Sequence, residues 1–253
     1  MFYKEKKYKL LTSFNKKIRF FSYPLNLYRF LKYSFLRISR TNFNELLEKI
    51  FIKDRNEFVM FLTDDSYFFK PVTLEDEIFD IISSNPSYHS FSLRLGCNIK
   101  YKPRNMKRIQ NYWTWDFYGK DSIKDFAYPF SLDGVIYYSE FIYSLLRKIL
   151  YTNPNSLEAF VVRYVIEHKL LRKGFCFSNS VLMSLPINRV QQIVQNQSLG
   201  ISEMVLNKKF LEGYTLSYEF SENIGLPQIY PDKIILKKGE HIEVLYKRRD
   251  IKF

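Results

Sequence analysis

Two adjacent carboxylates, Asp64 and Asp65, follow an apolar run that extends from Phe58 to Leu62. Neighbouring acids repel each other unless a positive group lies between them. A divalent cation provides that charge, and Mg²⁺ commonly takes one or two protein carboxylates and completes its shell with water and phosphate oxygens. The pair therefore indicates a Mg²⁺ site. A turn is the alternative interpretation, because Asp and the following Ser66 are common turn formers.

The surrounding sequence predicts an α/β domain with a mostly parallel central sheet flanked by helices. Apolar residues at 43–51 recur at helical spacing, and the run 57–62 is typical of a strand covered on both faces. A short strand at 17–21 precedes them, and this strand, helix, strand order favours parallel pairing. Ligands of open α/β sheets bind beyond the carboxyl ends of the strands, which is where Asp64 and Asp65 fall.

The rest of the chain continues to alternate between strand and helix patterns. We predict helices at 74–82, 155–171, 189–197 and 202–214, a strand at 88–96, a strand that becomes a helix at 134–150, and a terminal hairpin of 232–238 and 241–247. No internal repeat or linker interrupts this order. The sequence therefore predicts a single domain over 1–253.

The charge of the chain is concentrated at its beginning. The 39 Lys and Arg against 26 Asp and Glu give a net charge of +13, and residues 1–40 hold eleven Lys or Arg against Glu5 alone. Such a segment attracts a diphosphate, an acidic membrane surface or nucleic acid. A solvated basic face is the alternative. Because the chain has no zinc-knuckle, RNP-type or helix-turn-helix signature, no nucleic-acid partner is expected.

The sequence gives no sign of a membrane span or a secreted protein. No window reaches about 18 uninterrupted apolar residues, and the basic beginning of the chain lacks an apolar signal core. Two cysteines form neither a disulfide framework nor a metal-spaced cluster. We expect a cytoplasmic protein, with peripheral contact at the inner face of an anionic membrane as a further expectation.

Seven stretches between residues 57 and 214 resemble a known family in their order and spacing. They read VMFLTDDSYFFKP, FSLRLGCN, WTWDFYG, YPFSLDGVIY, NPNSLEA, LPINRVQ and LNKKFLEGY. This arrangement is similar to family-2-like bacterial glycosyltransferases with the GT-A fold. In that family a DxD-type motif at the end of a strand holds Mg²⁺ or Mn²⁺ against the diphosphate of a sugar nucleotide. Here the motif reads Asp-Asp-Ser.

The resemblance also implies a catalytic base. In such enzymes a carboxylate near the start of a later helix deprotonates the acceptor hydroxyl, and by position that carboxylate is Glu158. The chemistry requires such a group, because displacement of a nucleoside diphosphate needs a nucleophilic oxygen freed of its proton. The alternative is a helix cap, since Asn155 precedes Glu158 by three residues.

Three further side chains are candidates for sugar binding. Asp133, ahead of Gly134, would reach sugar hydroxyls from a tight turn, with an ordinary Asp-Gly turn as the alternative. Trp113 and Trp115 would share one face of a strand and offer an aromatic platform to a sugar ring. Core packing is the alternative for both indoles.

The remaining candidates lie towards the end of the chain. Asn188, Arg189 and Gln191 would contact the phosphate or sugar of the donor, with a salt bridge at a helix start as the alternative for Arg189. His241 would complete the metal shell, as a C-terminal His does in some GT-A enzymes. A structural His is the alternative.

The resemblance divides the chain into three regions. Residues 1–56 form a shortened basic region on the nucleotide side, 57–214 the metal and acceptor core, and 215–253 the C-terminal tail with its hairpin. GT-A enzymes place two further strand-helix units ahead of the metal motif, and 63 residues are too few for a full set.

The implied function is metal-dependent transfer of a sugar from a nucleotide donor to a glycan or lipid-linked acceptor. A non-catalytic sugar- or anion-binding protein on a shortened fold is the alternative. A basic nucleic-acid binder is a third hypothesis.

Overall fold

The computed structural model describes residues 42–53, 56–185, 201–220 and 231–247. Within these ranges the helices are α1 (Asn42–Lys53), α2 (Asp76–Ser84), α3 (Ser139–Leu146), α4 (Pro154–Glu167) and α5 (Glu203–Leu211), with a 3₁₀ turn at Lys124–Ala127. The strands are β1 (Phe58–Phe61), β2 (Ser66–Phe68), β3 (His89–Ser92), β4 (Lys107–Ile109), β5 (Tyr112–Asp116), β6 (Val135–Tyr138), β7 (Lys173–Cys176), β8 (Leu182–Ser184), β9 (Thr215–Glu219), β10 (Lys233–Lys238) and β11 (His241–Lys247). The predictions at 17–21 and 189–197 lie outside the described residues.

The central sheet has six strands in the order β1-β6-β3-β7-β5-β4. Its neighbours pair antiparallel except for β3 and β7, which are parallel. The fold is therefore mixed α/β, as predicted in class, but the prediction of a mostly parallel sheet is wrong.

Strand β1 shows why the prediction of strand direction failed. Phe58 and Met60 pack into the core on one face of the sheet, and Val59 and Phe61 pack into the core on the other. The continuous apolar run correctly indicates a strand covered on both faces. Burial of both faces does not determine whether the neighbouring strand is parallel or antiparallel, however. The partner of β1 is β6, which runs antiparallel to it.

The antiparallel pairing brings distant loops to one edge of the sheet. The amide of Gly134 donates to the carbonyl of Phe61 at 2.9 Å, and the amide of Leu93 donates to the carbonyl of Gly134 at 2.9 Å. The carboxyl ends of β1 and β3 therefore meet the start of β6. The loop after Phe61, the loop after Ser92 and the loop before Val135 therefore come together at this edge.

The helices cover both faces of this sheet. Buried residues of α3 and α4 form the larger core with β6, against which α1 also packs, and Ile78 and Ile82 of α2 fill the second core. No helix within the described ranges is long and apolar enough to cross a membrane.

A separate three-stranded sheet, β11-β10-β9, contains the predicted terminal hairpin. Strands β10 and β11 pair antiparallel around Gly239, so the hairpin is confirmed, and β9 adds a third strand. The ring of Tyr218 on β9 lies edge-on to Tyr67 on β2, with 5.0 Å between ring centroids. This contact joins the small sheet to the strand that follows Asp65.

Replacing Gly134 by alanine is expected to destabilise the protein more than the same change at Gly239. Both glycines have positive φ, 67° and 56°, so each alanine incurs a left-handed strain of about 1–2 kcal/mol. A Cβ at Gly134 would also lie 2.4 Å from Cδ2 of Leu182, whereas one at Gly239 meets nothing within 4 Å. Urea denaturation of both variants measures the difference. Equal losses would show that close approach to Leu182 contributes nothing.

Candidate functional site

A buried arginine, Arg94, organises the loops at the edge of the central sheet. It follows β3, and its guanidinium donates to Asp133 at 2.9 Å and to Asp125 at 2.7 Å. Asp133 also accepts from Ser66 at 2.9 Å and forms a short hydrogen bond with Ser184. We call these five residues, Arg94, Asp125, Asp133, Ser66 and Ser184, the Arg94 cluster.

Burial makes the ion pairs of the Arg94 cluster important for folding. The side chains of Arg94 and Asp133 are 14% and 11% exposed. Burial disfavours the charged guanidinium, but the carboxylates of Asp133 and Asp125 outweigh this effect, so the pKa of Arg94 is raised. A buried charge of this kind is tolerated only with partners, and here each ion has one.

The outer side of the cluster is closed by an aromatic residue. The hydroxyl of Tyr101 donates to Asp125 at 2.5 Å, and Nζ of Lys124 lies 4.7 Å from the centre of the Tyr101 ring. Burial, followed by the bond to Asp125, raises the pKa of Tyr101. Tyr101 therefore remains a neutral hydrogen-bond donor at physiological pH.

Glu158, the predicted base, lies in α4 beside the loop that carries Asp133. Its Oε1 accepts a hydrogen bond of 2.9 Å from the amide of Leu132. Burial raises the pKa of Glu158, although the Leu132 amide, the Ser131 hydroxyl and Arg94 lower it in part. A carboxylate with a raised pKa that is held in place by a backbone amide is suited to accept a proton.

The capping interpretation of Glu158 is wrong. Helix α4 begins at Pro154, and its cap is Asn153, whose side chain accepts from the amide of Ser156 at 2.9 Å while Ser156 caps in return. Glu158 lies in the second turn of the helix. Pro154 carries the signal that could have located the start, because proline is common at the first helical position.

A small cavity adjoins the Arg94 cluster. Its lining includes Arg94, Asp125, Tyr128, Ser131 and Tyr137. Its volume of about 10 Å³ is roughly that needed for one water molecule. Burial and then the charge of Glu158 raise the pKa of Tyr128 to about 12. The cavity is too small for a sugar nucleotide.

The carboxylates Asp64 and Asp65 lie at the tip of a turn, as the alternative interpretation predicts. The amide of Ser66 donates to the carbonyl of Thr63 at 3.1 Å, and the amide of Leu185 donates to the carbonyl of Asp65 at 2.8 Å. Asp64 is exposed and Asp65 is half-buried. The turn is tied to Asp133 through Ser66. The acidic pair therefore lies next to the Arg94 cluster.

The predicted metal shell of Asp64, Asp65 and His241 is not gathered in this structure. Across the ranges that the structure describes, no group of three or more His, Cys, Asp and Glu side chains could hold a metal ion. His241 is exposed at the start of β11, with its ring 5.7 Å from that of Tyr214. The adjacent pair alone still matches the one or two carboxylates that Mg²⁺ commonly takes, with phosphate and water as its other ligands.

The two tryptophans share one face of β5, but that face is covered. Trp115 is 2% exposed, packs over Gly174 of β7 and donates from its indole N–H to the carbonyl of Phe126 at 3.0 Å. Trp113 is half-buried against the same core cluster. Core packing accounts for both positions, and the prediction of a sugar platform is wrong for Trp115.

Asp133 occupies a different role from the one predicted. Both of its carboxylate oxygens accept from protein donors, so neither is free to meet a sugar hydroxyl without displacing Arg94, Ser66 or Ser184. Asn188, Arg189 and Gln191 lie outside the described residues.

Arg94 and Asp125 were not among the predicted site residues. Arg94 carries the only charge in the apolar run of residues 91–95. A charge in such a setting is almost never buried unless it is paired, so Arg94 itself was a detectable signal. Asp125 has no comparable signal, because nothing in its neighbourhood distinguishes it from a surface aspartate.

The chain is similar to a curated glycosyltransferase. The bifunctional glycosyltransferase pgtA of Dictyostelium discoideum is 25% identical over 228 residues, covering 77% of this chain. The matched region is 29% of that protein, so the chain spans less than a third of its relative. No family model and no solved structure matches. The similarity supports a relationship between this chain and glycosyltransferases.

Proposed function

We propose that this chain transfers a sugar from a nucleotide-sugar donor to a hydroxyl of a glycan or lipid-linked acceptor. The observation that carries the proposal is the position of Glu158, a buried carboxylate of raised pKa fixed to the Leu132 amide beside the Arg94 cluster. The similarity to a glycosyltransferase supports the reaction class. The family-2 type and a GT-A-like arrangement belong to the same proposal.

Glu158 acts as the general base in this proposal. It accepts the proton of the acceptor hydroxyl while that oxygen forms a bond to the anomeric carbon of the donor. The bond between this carbon and the diphosphate oxygen breaks, and the nucleoside diphosphate leaves with the electron pair. Ionised Glu158 is the required form, so the raised pKa brings its titration closer to physiological pH.

The acidic turn binds the diphosphate end of the donor in this proposal. Asp64 and Asp65 would hold Mg²⁺ or Mn²⁺, which neutralises the charge of the leaving diphosphate when bound. The bond from Ser66 to Asp133 fixes the turn relative to the Arg94 cluster. Arg94 orients Asp133 and Asp125 and holds the loops on which the turn depends.

Asp65→Asn is expected to abolish the metal-dependent binding of uridine or guanosine diphosphate. The variant should leave the thermal midpoint nearly unchanged, because the Asp65 contact that is observed uses its backbone carbonyl. Titration calorimetry with both diphosphates, with and without Mn²⁺, measures the effect. Asp121→Asn, at an exposed position, is the matched control. Normal diphosphate binding by Asp65→Asn would refute the metal assignment.

A non-catalytic sugar- or anion-binding protein is the second candidate function. It is supported by the finding that, within the described residues, no group of three or more His, Cys, Asp and Glu side chains is gathered to hold a metal ion. Diphosphate binding that is indifferent to Mn²⁺, without release of product from nucleotide sugars, would support this candidate against the enzyme.

A further inference from the structure

Five exposed cations follow one another within nine residues of the chain, in a segment that the proposed reaction does not use. Residues 94–115 contain no Asp or Glu. Within them the exposed residues Lys100, Lys102, Arg104, Lys107 and Arg108 follow one another along a loop and the edge strand β4. We call these five residues the basic strip.

The cations of the basic strip have no direct carboxylate partner in the described part of the chain. None of the five makes an ion pair with another described residue, whereas Arg163, Arg172, Lys209 and Lys233 each lie within 2.8 Å of a carboxylate oxygen. An uncompensated group of cations produces a positive potential that attracts an extended anionic surface.

The extended form of the strip favours a broad anionic surface over a small anion as its binding partner. A discrete phosphate requires donors that converge in a concave site, but the strip extends along a loop and a sheet edge. None of its residues lines the cavity beside the Arg94 cluster. The strip therefore fits many weak contacts to a broad array of negative groups.

Apolar side chains beside the strip favour a lipid surface over nucleic acid. Ile109, the last residue of β4, is 44% exposed, and Ile123, which precedes Lys124, is 50% exposed. Single-stranded nucleic acid is commonly held by aromatic rings on which bases stack. The one aromatic ring within the strip's span, that of Tyr101, is covered by Lys124 at 4.7 Å and tied to Asp125. Exposed isoleucines next to lysines suit a headgroup and acyl boundary.

We propose that the basic strip, together with Ile109, docks the protein on an anionic lipid bilayer. The contact does not depend on sugar transfer. Because Tyr101 lies within the strip's span and bonds to Asp125, a docked membrane lies next to the Arg94 cluster. The strip is separated in the sequence from the basic beginning of the chain, residues 1–40.

Reversing three charges of the strip is expected to weaken vesicle binding by more than about a hundredfold, since each Lys or Arg lost near a membrane surface contributes about 1 kcal/mol and each added Glu is repelled. The variant is Lys102→Glu/Arg104→Glu/Lys107→Glu in the full chain. Co-sedimentation with vesicles of phosphatidylcholine containing about one-third phosphatidylglycerol, at about 0.1 M salt, measures the affinity. Vesicles of phosphatidylcholine alone should bind neither protein.

The matched control is Lys237→Glu/Lys238→Glu/Lys247→Glu, which changes the net charge by the same amount at exposed positions of the terminal hairpin. It should lose far less affinity than the strip variant. Equal losses would show that only the total charge of the chain matters, and would overturn the proposal. An unchanged affinity of the strip variant would overturn it as well.

A second variant separates a bilayer from other polyanions. Ile109→Ser is expected to weaken vesicle binding several-fold and to leave binding to a duplex DNA oligonucleotide unchanged, because it removes apolar contact and no charge. If Ile109→Ser leaves vesicle binding intact while the strip variant loses vesicle and DNA binding equally, the strip is a general polyanion site and the membrane proposal is wrong.

Discussion

Replacing Glu158 by glutamine is expected to lower the turnover of a nucleotide-sugar donor by about 10²- to 10⁴-fold, the usual contribution of a general base. Glutamine keeps the shape of the side chain, and its Oε1 can still accept from the amide of Leu132. The fold and the affinity for nucleoside diphosphate should therefore persist. Release of diphosphate from a panel of uridine and guanosine sugars in the presence of Mn²⁺ measures turnover.

The matched control is Glu167→Gln, at the end of the same helix, where the carboxylate is 52% exposed and pairs with Arg163. This variant should turn over donor at the wild-type rate. Retention of activity by Glu158→Gln would exclude Glu158 as the base, whatever the outcome of the diphosphate titrations.

The acid limb of the wild-type pH profile should also report Glu158. Activity requires the ionised carboxylate, so turnover should fall as the pH drops through a pKa that burial has raised above its ordinary value of 4.5.

The raised pKa of Glu158 also makes the free energy of unfolding depend on pH, in the opposite direction to turnover. A folded-state pKa above the unfolded-state pKa stabilises the protein below the unfolded-state value, and this contribution is lost as the pH rises through the folded-state pKa. Glu158→Gln should therefore gain stability over the wild type as the pH increases.

Arg94→Met is expected to cost about 3–5 kcal/mol of folding free energy, because it leaves the carboxylates of Asp133 and Asp125 without their cation. Methionine preserves much of the apolar volume, so the loss reports the unpaired acids and not a cavity. Urea denaturation at neutral pH measures it. Further replacement of both aspartates by asparagine should restore a large part of the stability.

Arg163→Met provides the comparison for an exposed arginine. Its pair with Glu167 lies on the surface of α4, with the arginine side chain 74% exposed, so its removal should leave the urea midpoint nearly unchanged. If Arg94→Met behaved in the same way, the Arg94 cluster would be dispensable for the fold. Its assignment as the organiser of the site would then fail.

Local elements were predictable from the sequence because their signals are local. The apolar spacing at 43–51, 74–82 and 155–171 located α1, α2 and α4 to within a few residues. The alternation around Gly239 located the terminal hairpin in the same way. A helix or hairpin carries its own periodicity, so no knowledge of the partner strand was needed.

Strand pairing and the buried network were not predictable, because they depend on contacts between distant residues. A run such as Phe58 to Leu62 is apolar whether its neighbour is parallel or antiparallel, and β6 gives no signal that it pairs with both β1 and β3. Asp133 was identified as a site residue, yet its partner Arg94 lies 39 residues away. Trp115 was predicted to bind sugar because of its position on β5. Its indole instead packs against Gly174, which lies on a different strand, β7.

The contacts that hold the Arg94 cluster also bear on how the chain folds. Ser66 and Asp133 are separated by 67 residues, Arg94 and Asp125 by 31, and Ser184 and Asp133 by 51. Closing loops of this length costs entropy before any contact repays it, and chains dominated by such contacts reach the native state slowly. We therefore expect helices such as α4 to form early during refolding and the ionic centre to close late. Nascent chains shorter than about 184 residues lack Ser184 and cannot complete the hydrogen bonds of Asp133.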